Sequence, residues 1–154
     1  MVNIFGEDIF HENGEINLQK IRDLFIEDNQ EGKDRRDLFY VYFGIEIWKE
    51  IEKIANESGK FFVFVENAVM FEYSWHNYFN LIICVYCSDE EARRRILTSR
   101  KNWNMKIYDA FRKIQLPVER KIELSDVSID TTNIPPSHTI EALVKLLNKN
   151  GIAT

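Results

Sequence analysis

The sequence predicts an α/β domain built on a parallel sheet, and three observations carry that expectation. Two runs, Phe61–Val65 and Leu81–Cys87, are short, rich in aromatic and β-branched residues and without alternation, as in strands covered on both faces. Helical-period segments separate Leu81–Cys87 from a third brief run, Val127–Asp130, and strands joined through helices make parallel sheets. With 45% hydrophobic residues, a chain of 154 supplies one core without disulfide or metal support, so a single domain is expected over residues 1–154.

Each element has its own signal. Asn13-Gly14 reads as a turn, and Asn17 as the cap of a helix carrying Leu18, Ile21, Leu24 and Phe25. Residues 29–33 read as a polar break. A longer helix is expected over 34–56, with Val41, Ile45, Trp48, Ile51 or Ile54 and Ala55 as its apolar stripe, stopped by Ser58-Gly59. A loop and a short helical stretch join the first two strands. Ser88-Asp-Glu-Glu91 fits a capping box, in which the Ser88 hydroxyl and the Glu91 carboxylate satisfy each other's backbone donors. Helices follow over 92–101, 105–114 and 118–124, the last with Pro117 at its first turn. After the third strand, Pro135-Pro136-Ser137 opens a final helix with Ile140, Leu143, Val144 and Leu147 on its apolar side.

Charge narrows the function classes. Twenty Lys and Arg against 25 Asp and Glu give a net charge of −5, which argues against a nonspecific nucleic-acid binder or a polybasic membrane anchor. No apolar run reaches the length of a membrane span, and the start lacks the pattern of a signal peptide, so a cytoplasmic protein is expected. Cys84 and Cys87 have redox-motif spacing but lie in a strand-like run, where they read as buried packing. His11, His76 and His138 are too scattered for a metal site, and no nucleophilic triad is suggested.

Four blocks, in order, carry a more specific likeness. They are Phe5-Gly-Glu-Asp-Ile-Phe10 with Asn13-Gly-Glu-Ile-Asn17; Glu66-Asn-Ala-Val-Met-Phe-Glu72; Gln115-Leu-Pro-Val-Glu-Arg-Lys121; and Ser125-Asp-Val-Ser-Ile-Asp130. From about Asn3 to Leu147 the chain resembles dephospho-coenzyme A kinase, the P-loop kinase that phosphorylates the ribose 3′-hydroxyl of dephospho-coenzyme A. The resemblance implies a Rossmann-like three-layer domain with a helical lid over about 88–124 and a substrate region. It also exposes what these residues lack. Neither Gly32-Lys33 nor Gly59-Lys60 has the spacing or the following hydroxyl of a Gly-x-x-x-x-Gly-Lys-Ser/Thr loop, and the family's acceptor-side aspartate has no counterpart. Without that loop no backbone N–H cradle, lysine or Mg²⁺-holding hydroxyl acts on the ATP phosphates. The sequence therefore predicts an incomplete kinase-like domain, inactive alone, with ATP and Mg²⁺ entering only if a partner supplies the loop. Such a domain is expected to rearrange its sheet, to form a homo-oligomer, or to pair with a P-loop-bearing chain. A degenerate kinase, half of a split kinase and a non-enzymatic interaction module all follow from this.

Candidate residues come from the same resemblance. Glu66, Phe71 and Glu72 would be substrate-binding, Phe71 and Glu72 bordering the acceptor, dephospho-coenzyme A, and Glu66 facing the metal or phosphate region, near a sheet edge of the kind where α/β ligands bind. Read from the residues alone, the two carboxylates are equally a helix cap or surface charges. Arg93, Arg94, Arg95, Arg100 and Lys101 form a basic concentration, read either as a phosphate-meeting lid or as a solvated face balanced by Asp89, Glu90 and Glu91. Arg95 and Arg100 match the lid region best, and a later lid arginine falls at Phe111, one place from Arg112. Asp130 and Thr131 match the adenine end of the nucleotide site, Thr131 replacing the family's Asn; Asp130 is also readable as a turn residue. Tyr40, Tyr42, Phe43 and Trp48 read as core or interface, and Tyr73-Ser74-Trp75 as the cover of a ligand or an interface.

Overall fold

Strands β1 (Ile83–Tyr86) and β2 (Val127–Asp130) pair in parallel, with Ile83 opposite Val127 and Tyr86 opposite Asp130. The computed structural model describes residues 2–6, 9–58, 63–100, 102–149 and 151. It divides into two compact units, Met1–Asn67 and Ala68–Thr154, and the strands lie in the second. Asp126 pins their register: its Oδ2 accepts from Ile82 N at 2.7 Å, while Asp126 N and Val127 N donate to Ile82 O at 3.0 and 3.2 Å. Beyond the ladder, Thr131 N donates to Tyr86 O at 2.7 Å, closing the far end of the pair.

Around the strands lie a 3-10 turn (Trp75–Tyr78) and α4 (Asp89–Ser99), α5 (Met105–Lys113), α6 (Val118–Leu124) and α7 (Pro136–Lys149), with α6 on β1, α7 on β2 and α5 against α4. Val69, Trp75, Ile82, Ile107, Tyr108, Val127, Ile129 and Leu147 form the buried core of this unit. Asn104 Oδ1 accepts from Ile107 N at 3.0 Å and starts α5. The expected stripe of α7 is covered mainly at Leu147, since Ile140 is 75% exposed.

The first unit holds α1 (Val2–Phe5), α2 (Leu18–Phe25) and α3 (Gln30–Ser58). The Asn13-Gly14 turn forms, Gly14 taking φ 81°, a left-handed value that glycine adopts without strain. Asn17 caps α2 as expected, its Oδ1 accepting from Lys20 N at 3.0 Å. Rings of Phe5, Phe25, Phe39, Tyr40 and Phe43 pack edge-on or stacked at 5.2–6.4 Å between centroids.

Several expectations change. The polar break before the long helix is its beginning: Asn29 Oδ1 accepts from Gly32 N at 2.7 Å, so α3 starts at Gln30. Gly32 is required there, because a Cβ would come 2.4 Å from Glu27 O. Aromatic rings meet along the Phe39–Tyr40–Phe43 side of α3, and the expected stripe is only partly covered, Trp48 and Ile51 being half-buried and Val41, Ile45 and Ile54 exposed. Val63–Val65 form no strand, because no described segment pairs with them, and Phe64 is 74% exposed. Phe61 and Phe62 of that expected strand, the Gly59 stop and Lys101 lie outside the described residues. β1 is less covered than its apolar run implied, Val85 being 52% exposed. The α/β class with a parallel sheet holds, with two strands among the described residues.

Candidate functional site

The arginines of α4 are held by carboxylates on their own helix. Ser88 caps it, its Oγ accepting from Glu91 N at 3.3 Å. The return half of the capping box does not form, because Ser88 N donates to Thr132 Oγ1 at 2.9 Å and Glu91 turns to the arginines. Arg94 takes Glu91 with two bonds of 2.7 and 2.6 Å, and Arg95 Nε adds a third at 2.7 Å. These bonds, Arg94's first and Arg95's next, hold the Glu91 carboxyl down at about 2.

Asp89 is a second centre. Its Oδ2 accepts from Arg93 Nε at 2.5 Å, its Oδ1 accepts from the Tyr108 hydroxyl at 2.6 Å, and Arg112 Nε lies 3.7 Å from Oδ1. Arg93 also pairs with Asp109 at 3.0 Å and lies over the Tyr108 ring. The arginine bond and then the tyrosine bond lower the Asp89 carboxyl below its usual range, while burial, followed by the bond to Asp89, raises the Tyr108 hydroxyl to about 12.

Arg95 reaches away from solvent toward the end of β2. Its Nη1 donates to Thr131 Oγ1 at 3.1 Å, and its Nη2 to Thr131 O at 2.7 Å and Ile134 O at 3.3 Å. Thr131, 3% exposed, donates its hydroxyl to Tyr86 O at 2.9 Å. Asp130 Oδ1 accepts from both Thr132 N at 2.8 Å and the Thr132 hydroxyl at 2.5 Å, which lowers its carboxyl. Of the strand-end residues expected at a nucleotide site, Thr131 is thus engaged by Arg95 and Tyr86, and Asp130 by Thr132. Arg100 is placed differently. It lies exposed with its guanidinium 4.8 Å from the Trp103 ring centre, and Trp103 stacks on Phe111.

The expected acceptor residues Phe71 and Glu72 lie in a turn that leads into the 3-10 segment. Trp75 N donates to Met70 O at 2.9 Å, and Ser74 sits at φ 57°, a left-handed conformation uncommon for a non-glycine residue. Glu72 Oε1 accepts from Leu116 N at 2.7 Å and pairs with Lys121 Nζ at 2.8 Å; the two side chains are 11% and 15% exposed. Lys121 Nζ donates onward to Ala68 O at 2.5 Å. Buried Glu72 Oε2 and His76 Nδ1 have no protein partner, and the His76 ring lies 5.0 Å from that of Phe71. Glu66 belongs to the first unit, exposed in an extended stretch.

Sequence reasoning singled out Arg95, Arg100, Arg112, Glu66, Phe71, Glu72, Asp130 and Thr131, and Asp89 as a balance for the arginines, but gave no role to Lys121, Tyr108 or Thr132. Lys121 closes the Gln115–Lys121 block, so its pattern carried a signal whose partner, 49 positions earlier, did not show in sequence. No described group of three or more His, Cys, Asp or Glu side chains is arranged to hold a metal ion, and no described helix is long and apolar enough to cross a membrane. Cys84 and Cys87 are unpaired and half-buried, their thiols raised mainly by burial.

Comparison with known proteins points one way. A family model described as dephospho-CoA kinase matches residues 1–135. The dephospho-CoA kinase of Rickettsia typhi (strain ATCC VR-144 / Wilmington) is 28% identical over 115 residues, 75% of this chain and 58% of that protein. That of Rickettsia felis (strain ATCC VR-1525 / URRWXCal2) is 33% identical over 79 residues, 51% of this chain and 40% of its own. That of Aquifex aeolicus (strain VF5) is 25% identical over 150 residues, 97% of this chain and 71% of its own. The chain thus spans between 40% and 71% of the length of these relatives.

Proposed function

Given that the chain belongs to the dephospho-CoA kinase family, we propose that its 154 residues form the acceptor and lid portion of such a kinase. In this reading they hold dephospho-CoA, whose ribose 3′-hydroxyl is phosphorylated from ATP in coenzyme A synthesis, and do not transfer phosphate on their own. The contrast between the two ends of the second unit carries the reading. At the strand ends, Asp130 Oδ1, Thr131 and Thr132 are bonded to one another or to Arg95, Tyr86 and Ser88, while Asp130 Oδ2 stays exposed to solvent. In the Val69–Tyr78 turn, Glu72 Oε2 and His76 Nδ1 are buried without protein partners, and buried polar groups ordinarily have them. The turn thus holds buried bonding capacity that the protein itself does not use.

The residues described do not fit ATP-Mg²⁺. The sequence contains no Gly-x-x-x-x-Gly-Lys-Ser/Thr loop to cradle phosphates, and the matched strand-end carboxylate is engaged by Thr132. Phosphoryl transfer rests almost wholly on such positioning and charge stabilisation. A second reading has its own observation: among the described residues no strand pairs with the far edge of β1. A strand carrying the phosphate loop suits that edge, supplied by a partner chain or by residues outside these 154. Calorimetric titration of the purified chain tests the proposal. Dephospho-CoA is expected to bind and ATP-Mg²⁺ not to. Micromolar ATP affinity refutes the phosphate-site argument, and absence of any dephospho-CoA binding refutes the acceptor role in favour of an interaction module.

A further inference from the structure

We infer that Lys121 is a positioning residue for the acceptor turn, acting through Glu72; the inference rests on the acceptor role proposed above. Three links meet at one ammonium and one carboxylate. Lys121 on α6 pairs with Glu72 at 2.8 Å and donates to Ala68 O at 2.5 Å, and Glu72 Oε1 also accepts from Leu116 N at 2.7 Å. The pair therefore ties the entry of the turn at Ala68 and its middle at Glu72 to the segment joining α5 to α6. Both side chains are largely shielded from water, where a charged pair is screened far less than on the surface.

The turn needs such a tie. It contains no regular element before the 3-10 segment, and Ser74 holds a left-handed backbone, a state that persists only where surrounding contacts impose it. Glu72 divides its work between its two oxygens. Oε1 takes Leu116 N and Lys121, and Oε2 is left without a protein partner. Anchoring Oε1 at two points fixes the direction of the carboxylate and so the place of Oε2, while Phe71 and His76 beside it stand ring to ring. Lys121 thus sets where the turn's open polar atoms lie without touching the acceptor itself. Two short bonds to one ammonium cannot both be kept by a neutral side chain of similar length, whereas a guanidinium can span both oxygens.

The test compares the full chain with Lys121→Met and Lys121→Arg, by dephospho-CoA titration and by amide hydrogen exchange. Lys121→Met leaves a buried carboxylate without its ion-pair partner; should it not fold, Lys121→Gln, which offers two uncharged N–H donors on a shorter side chain, takes its place. The expected result is at least tenfold weaker dephospho-CoA binding, with faster exchange confined to residues 68–78 and unchanged exchange in β1 and β2. Lys121→Arg restores affinity to within threefold. Unchanged affinity or unchanged exchange in the turn of a folded variant overturns the inference, and exchange raised equally through β1 and β2 does the same by showing a merely structural pair. A wild-type chain that binds no dephospho-CoA overturns the acceptor reading and with it the purpose assigned to Lys121. Binding by the wild type with no loss in the variant overturns the positioning role alone.

Discussion

Replacing Arg95 with methionine separates a structural arginine from a phosphate-meeting one. The guanidinium donates to Thr131 O at 2.7 Å, Thr131 Oγ1 at 3.1 Å and Ile134 O at 3.3 Å, and pairs with Glu91 at 2.7 Å. Hydrogen bonds from a charged donor contribute about 1.5–3 kcal/mol each when well shielded. Arg95 is 27% exposed and Thr131 O retains the bond from Ile134 N at 3.1 Å, so the full sum does not apply. Glu91 also keeps Arg94, which limits the loss from that pair. Methionine preserves most of the side-chain packing, and a net loss of about 2 kcal/mol follows from the remaining bonds. For a chain of this length that lowers the thermal midpoint by roughly 4–8 °C, read by circular dichroism. Arg100→Met is the control: its exposed contact with the Trp103 ring is worth at most about 1 kcal/mol. A midpoint for Arg95→Met within about 1 °C of wild type refutes the reasoning and returns Arg95 to the lid.

Acid acts on the same helix. Because the folded Glu91 carboxyl lies near 2, below its ordinary value of 4.5, its contribution is complete above about 4.5 and is lost as pH falls toward 2. Acid unfolding of Glu91→Gln is therefore expected to depend less on pH across that interval, and an identical dependence counts against the Arg94–Glu91–Arg95 cluster. In the first unit, Arg36 is buried and its Nη1 donates to Phe25 O at 2.8 Å and Glu27 O at 2.9 Å, satisfying carbonyls at and beyond the end of α2. Arg36→Met should cost about 2–4 kcal/mol in urea unfolding, and an unshifted midpoint rejects that role.

What the sequence revealed was local, and what it hid was mostly remote. Asn17 capping Lys20 N, Ser88 capping Glu91 N and the Gly14 turn depend on residues within three positions, and all three form. The same rule missed Asn29, because a run of polar residues was weighed for its composition rather than for its first member's capping oxygen. The capping box failed by half because Glu91 had arginines three and four residues on, a stronger pull than one backbone N–H. Strand Val127–Asp130 was legible from its own run, whereas Val63–Val65 needed a neighbour to become a strand, and sequence periodicity cannot supply one. The bonds of Arg95 to Thr131 and of Lys121 to Glu72 span 36 and 49 positions, beyond the reach of any spacing rule.

Those two remote bonds divide the work of the second unit. Arg95 fastens the loop after β2 to α4, and Thr131 and Thr132 are bonded to Tyr86, Asp130 and Ser88. Lys121 fastens the turn before β1 to α6 and leaves one carboxylate oxygen and one imidazole nitrogen open. Arg95 spends its donors on its own loop and helix, whereas Lys121 leaves part of its partner's bonding capacity unspent. Arg95 has five N–H donors and makes four bonds, to Thr131, Ile134 and Glu91. Glu72 has two oxygens and its neighbours saturate one. In the proposed acceptor role, a ligand N–H or O–H that reaches buried Glu72 Oε2 or His76 Nδ1 gains a bond the protein lacks, whereas one that meets Thr131 or Thr132 must first displace a bond the protein has.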